Sequence, residues 1–177
     1  MSKKLTILLM RYPGTFPKLM CFLTRFGYTH SSIGLEEDLN TFYSFVKTGF
    51  IVEKITRYEK PDRKPFPCAL YEIDVPRVVY EKVKQTLSGY EARKKELSYT
   101  NASMLLSLLL HIPYRQKNRY FCSHFVAEVL QRCRAANLPR SSILYLPKDF
   151  HKLKETRMIY QGDLRDMAKR FRLAENT

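Results

Sequence analysis

The sequence predicts an α+β fold, with strands gathered in its first half and helices in its second. Three observations carry that prediction. Residues 4–10 form an apolar run of strand length that ends at Arg11 and a Pro-Gly turn. Residues 29–46 hold two β-branched and aromatic runs around the polar stretch 36–40, the pattern of a hairpin. After residue 76, apolar side chains recur at helical spacing three times.

The elements follow in order. Residues 4–10 make the first strand. Lys3 and Lys4 ahead of them look superficially like a secretory leader. The apolar run is only six residues, however, and no small-residue cleavage site follows it. Pro17 opens a short helix to about residue 26, which Gly27 ends. Strands at 29–35 and 41–46 flank the turn at 36–40, and a further run covers 50–56. The proline-rich, charged stretch 58–67 is a loop, and 69–75 alternates like a strand. Pro76 sits at the first turn of a helix to about residue 97, with Val79, Val83 and Leu87 as its stripe. Thr100 caps a second helix to about residue 111, where Pro113 ends it. A third helix spans about 120–136. Pro147 opens a short helix, 157–160 is a strand, and a last helix starts at 162.

A chain of 177 residues fits one domain, with residues 137–177 as a basic C-terminal extension packed on it. No apolar stretch approaches the length of a spanning helix. The four cysteines, Cys21, Cys68, Cys122 and Cys133, include no CxxC pair. Neither a disulfide scaffold nor a structural zinc site is expected, and the thiols are expected reduced in a cytoplasmic protein.

Charge is unevenly spread. The formal net charge is +14, and residues 1–35 carry five bases and no acid. Residues 36–114 are nearly balanced, and residues 115–177 carry fourteen bases against six acids. A basic face formed by the two ends would attract an anionic polymer or an anionic membrane surface. Specific nucleic-acid binding is not expected, because no RNA-binding motif, zinc finger or long basic helix is present. Residues 15–27 place Phe16, Leu19, Phe22 and Phe26 near Lys18 and Arg25, a pattern that fits a core helix or a lipid-contacting one.

Chemistry concentrates at Cys122. It stands in the first turn of the third helix, where free amides and the positive end of the dipole favour a thiolate. The same amides suit a developing oxyanion. Cys122 would equally serve as a small buried hydrophobe, as Cys133 does further along the helix. A nucleophile needs a base. His124 is two residues on and points away from Cys122, and His111 and His151 read as surface or capping histidines. His30 opens a strand and is rigidly aimed, so it can serve as the base if the sheet packs on the helix start; it would equally be a satisfied, half-buried histidine.

The segments Tyr28-Thr29-His30-Ser31-Ser32-Ile33-Gly34-Leu35, Phe42-Tyr43-Ser44-Phe45 and Tyr120-Phe121-Cys122-Ser123-His124-Phe125-Val126 resemble the circularly permuted NlpC-like branch of the papain-like cysteine hydrolases. That branch includes the YiiX-like proteins and the lecithin retinol acyltransferase group, and the resemblance covers roughly residues 5–130. It implies a permuted papain-like fold, a small antiparallel sheet with the histidine strand packed against a helix that starts at the cysteine. It also implies a thiol hydrolase (cysteine peptidase or amidase) or an acyltransferase, acting on a peptide, amide or lipid-ester substrate with no metal or organic cofactor. The alternative is a weak or inactive papain-like module that binds through its basic face.

The third catalytic group is open. Relatives place a polar residue on the strand after the histidine strand. Ser44 is preferred there, with Tyr43 and Glu53 as alternatives. Cys122 and His30 are expected within hydrogen-bond reach or one bridging water; Cys122 in mid-helix, or a His30 ring on the opposite sheet face, would sink the catalytic reading outright.

Overall fold

The structure, a computed structural model, describes residues 2–12, 21–22, 25–59 and 65–175. It is α+β. Six antiparallel strands form one sheet in the order β4-β3-β2-β1-β5-β8. They are β1 (Ser2–Met10), β2 (His30–Leu35), β3 (Asp38–Val46), β4 (Gly49–Lys54), β5 (Pro67–Pro76) and β8 (Thr156–Asp163). Two-residue strands β6 (Ser98–Tyr99) and β7 (Arg119–Tyr120) pair separately. The helices are α1 (Arg77–Ala92), α2 (Asn101–Leu110), α3 (Cys122–Cys133), α4 (Pro147–Phe150) and α5 (Leu164–Glu175).

β1 is central, and its last six residues are all buried. Leu5, Ile7 and Leu9 face a core closed by α1 and α3. Leu8 and Met10 face a second core closed by α5 and the 3-10 turn Ile55–Tyr58. A strand covered on both faces reads as a continuous apolar run, which is why residues 5–10 look so uniform.

α1 buries Tyr80, Val83, Leu87 and Tyr90, at spacings of three and four. It ends at Ala92, earlier than residue 97. Thr100 caps α2 as expected, accepting from Ser103 N–H at 3.3 Å. The C-terminal stretch does more than pack on a finished domain: β8 is an edge strand of the sheet, and α5 supplies Leu164, Met167 and Ala168 to the second core. The helix expected over residues 17–26 lies mostly outside the described residues. Among the described residues, no helix is long and apolar enough to cross a membrane.

Candidate active site

Cys122 is the first residue of α3. Phe121 before it is extended (φ −115°, ψ 164°) and its side chain offers no cap. The chain passes from extended to helical in one step, which leaves the first-turn amides without helical partners. The amides of Cys122 and Ser123 lean on the thiol and favour its charged form, as do the amide and hydroxyl of Ser31. The Ser31 hydroxyl nevertheless makes no well-formed hydrogen bond. Burial works against ionisation and prevails, raising the thiol above its ordinary value, so Cys122 is neutral at pH 7.

Strand pairing explains where the sulfur lies. Glu36 N–H donates to Lys4 O in the β1–β2 register, and bonded pairs alternate along an antiparallel ladder. The even-numbered residues of β2 therefore bond β1, while Ser31 turns its amide and carbonyl towards β3. The β2–β3 pairing has stopped short of it, with Ile33–Tyr43 as the pair nearest that end. A side chain serves the carbonyl instead: Ser44 Oγ donates to Ser31 O at 2.7 Å. The Ser31 amide leans on the Cys122 thiol without completing a well-formed hydrogen bond to it. The sulfur therefore lies against β2 where its pairing with β3 has stopped, on the α3 side.

His30 comes from the other side. It pairs with Met10, and paired residues share a face. That is the face of Phe42, Ile55 and α5, whereas Ser31, paired with Leu9, takes the α3 face. His30 is 3% exposed. Its ring meets the Tyr12 ring edge-on at 4.7 Å, and its Nε2 stands 3.9 Å from Glu53 Oε2. β3 lies between β2 and β4, so the ring leans across β3 to reach Glu53. On this face β2 and β3 present small residues, Ser32, Gly34 and Ser44.

The site differs from the sequence expectation in two ways. No hydrogen bond joins His30 to Cys122: Nε2 has no hydrogen-bond partner, and the ring lies on the face opposite α3. The cause is the strand's alternation, which gives α3 the side chain of Ser31 and not that of its neighbour His30. Ser44 is also not the group beside the imidazole, because its hydroxyl is turned to Ser31 O. Tyr43 packs on the α3 face against Phe50. Glu53 is the acidic group next to His30.

Glu53 is held in place by two phenols. Tyr12 Oη donates to Oε1 at 3.1 Å, and Tyr58 Oη donates to the same oxygen. Burial raises the Glu53 carboxyl and the phenols oppose it. Burial also lowers His30 to about 3, so the imidazole is neutral and, where it lies, a weaker base than an exposed one. Tyr12, Ser31 and Tyr58 were not legible as site residues. Only register could have found Tyr12: it follows β1 at the end where Met10 pairs with His30.

Unpartnered buried polar atoms occur on both sheet faces here, Ser31 Oγ and Ser123 Oγ on one and His30 Nε2, Ser32 Oγ and Glu53 Oε2 on the other, and also elsewhere, at Thr6, Tyr80, Ser107 and His124. Native cores leave few such atoms idle.

The other histidines stand apart. His124 is stacked on Tyr120 at 5.0 Å, with Nε2 3.9 Å from Glu128, which Arg115 and Ser142 hold. It faces away from the thiol, as its spacing predicts. His111 is the left-handed cap of α2 (φ 55°), and His151 stacks on Phe26. A groove of about 540 Å³ lies at the far end of α3, lined by Gln131, Arg134, Leu138 and Glu155 among others. It contains neither thiol nor imidazole. Among the described residues no three His, Cys, Asp or Glu side chains converge as a metal site requires.

Compared with protein-family models and with curated proteins, the chain matches none.

Proposed function

We propose that the protein is a thiol hydrolase of the permuted papain-like kind, with Cys122 as nucleophile, His30 as base and Glu53 as the acidic neighbour that holds the resting imidazole. One observation carries this reading. A buried thiol at a helix start lies against Ser31 of β2, and the neighbouring residue of that strand, His30, carries a buried imidazole whose Nε2 has no hydrogen-bond partner. A core built for packing alone would carry apolar side chains there.

The chemistry follows from the groups. For His30 Nε2 to take the thiol proton, the ring must leave Glu53 and pass to the α3 face where β2 and β3 part. The thiolate attacks a carbonyl carbon, and the first-turn amides of α3 hold the oxyanion. The imidazolium returns its proton to the departing amine or alcohol. Water, or another acceptor in an acyltransferase, then releases the acyl group from sulfur. Peptide, amide and lipid-ester carbonyls all fit this sequence of steps.

Amide- and ester-based electrophilic probes test it on wild type, Cys122→Ala and His30→Ala. Labelling should vanish in Cys122→Ala. In His30→Ala it should slow by roughly a hundredfold, the usual weight of a general base. Equal labelling of the other thiols, or indifference to His30, defeats the reading.

The neutral thiol and the ring on the far face favour a second reading, a papain-like module without turnover that binds an anionic surface. It expects binding that falls steeply with salt and survives Cys122→Ala.

A further inference from the structure

The C-terminal half of α2 and the loop after it expose apolar side chains that nothing in the fold covers. Leu109 is 59% exposed, Leu110 61%, Ile112 47% and Tyr114 45%. Leu105, one turn earlier, adds to the same tip. The opposite side of α2 is spoken for: Met104 packs with Phe121 and Ile143 beside Cys122. The tip is therefore the outer side of a helix anchored in the fold, and it is uncharged.

The surroundings of the tip are basic. Residues 97–127 contain no acid at all. Lys117 and Arg119 are exposed in the loop that returns from the tip to the start of α2. Thr100, the cap of α2, holds that loop by donating to Gln116 Oε1 at 2.9 Å and to Tyr120 O through its amide. β6 pairs with β7 in parallel, which brings the exposed Lys94 and Lys95 towards the same end. Glu91 and Glu96 are the acids on that side. The bases thus sit back from the apolar tip by roughly the length of a ten-residue helix, about 15 Å.

We propose that this surface docks on an anionic lipid bilayer, the apolar tip entering the headgroup–acyl boundary while Lys117, Arg119, Lys94 and Lys95 face the headgroups. A tip about 5–10 Å below the charged layer leaves these bases roughly 5–10 Å above it, within about one Debye length of its charge. A second copy of the chain is a poor occupant, because symmetric pairing of this surface would set its bases against the same bases. The inference stands apart from the chemistry at Cys122.

The test is co-sedimentation of the full chain with phosphatidylcholine vesicles, with and without phosphatidylserine. Wild type should bind the phosphatidylserine vesicles and lose binding as salt rises. The double change Leu109→Glu with Leu110→Glu should weaken binding at least about tenfold, with circular dichroism unaltered because both side chains are exposed. Lys117→Glu with Arg119→Glu should weaken it several-fold. Cys122→Ala should bind as wild type does, so loss of the hydrolase reading leaves this one standing. Absence of binding at low salt, or binding indifferent to Leu109 and Leu110, overturns the proposal. So does a Leu109→Glu effect confined to self-association, or to capture of an acidic protein.

Discussion

Two buried neutral histidines make this protein acid-labile in a calculable way. Burial lowers His30 to about 3 and His124 to about 4, against 6.5 for an exposed imidazole. In the unfolded chain both rings protonate as pH falls through 6.5, while in the fold they do not. The unfolded state therefore binds more protons across that window, and stability falls as pH falls. From pH 7.5 to pH 5 each histidine costs about 2 kcal/mol, and the pair about 4 kcal/mol. Glu53, raised by burial, offsets part of this towards the acid end. Glu36, Asp38 and Glu128, all lowered, give up their stabilisation mostly below the window. The assay is urea unfolding followed by circular dichroism at pH 7.5, 6 and 5. His30→Gln and His124→Gln should each remove about half of the pH-dependent loss, whatever they do to stability at pH 7.5. The reasoning fails if wild type loses less than about 1 kcal/mol, or if both glutamine variants keep the full loss.

Three further outcomes follow from the same geometry. Alkylation of Cys122 should be slow at pH 7 and still rising above pH 9, because burial holds the thiol above its ordinary value; a rate already flat from pH 6 would mean a preformed thiolate–imidazolium pair. Gly34→Ala should destabilise by about 1–3 kcal/mol, because its Cβ would stand 2.7 Å from Thr6 Oγ1 and 2.9 Å from the Phe42 ring; thermal melts that show no change would refute the close approach. Ser44→Ala should cost about 1–2 kcal/mol by leaving the Ser31 carbonyl without its side-chain donor, measured by urea unfolding, and should slow probe labelling far less than His30→Ala does.

The fold was legible where local signals were strong. The Thr100 cap and the Pro147 helix start fall where cap chemistry puts them, and the hairpin from His30 to Val46 forms with a shorter turn than residues 36–40, because β3 already begins at Asp38. The helix carrying Cys122 was legible too, and so was the placement of that residue at its start. Which strand neighbours which was not, because pairing β1 between β2 and β5 depends on contacts distant in sequence. That gap decided the third site residue. Counting across the 36–40 turn brings residues 43–46 opposite His30, and Ser44 follows from that count. The count assumes that the β2–β3 ladder continues to His30. It stops at Ile33, the strands part, and the ring is free to lean past β3 to Glu53. A one-residue difference between His30 and Ser31 likewise decides which side chain meets α3, and no local pattern reports it.

The parting of β2 and β3 joins the structural and chemical roles of Cys122. Ser31 presents an amide and a carbonyl to a place where a third strand should bond them. Buried backbone groups of this kind need partners; a serine hydroxyl serves the carbonyl, while the amide only leans on the Cys122 sulfur. A thiol is a weak acceptor, so this exchange is a poor bargain for stability alone. A serine at position 122 would bond the Ser31 amide better, and an apolar strand pair would remove the need. What sulfur offers at the start of α3 is reactivity near free amides, with a neutral imidazole on the opposite face of the sheet. The stability given up in the ladder and the unpartnered polar atoms beside it support the proposed role of Cys122 as nucleophile.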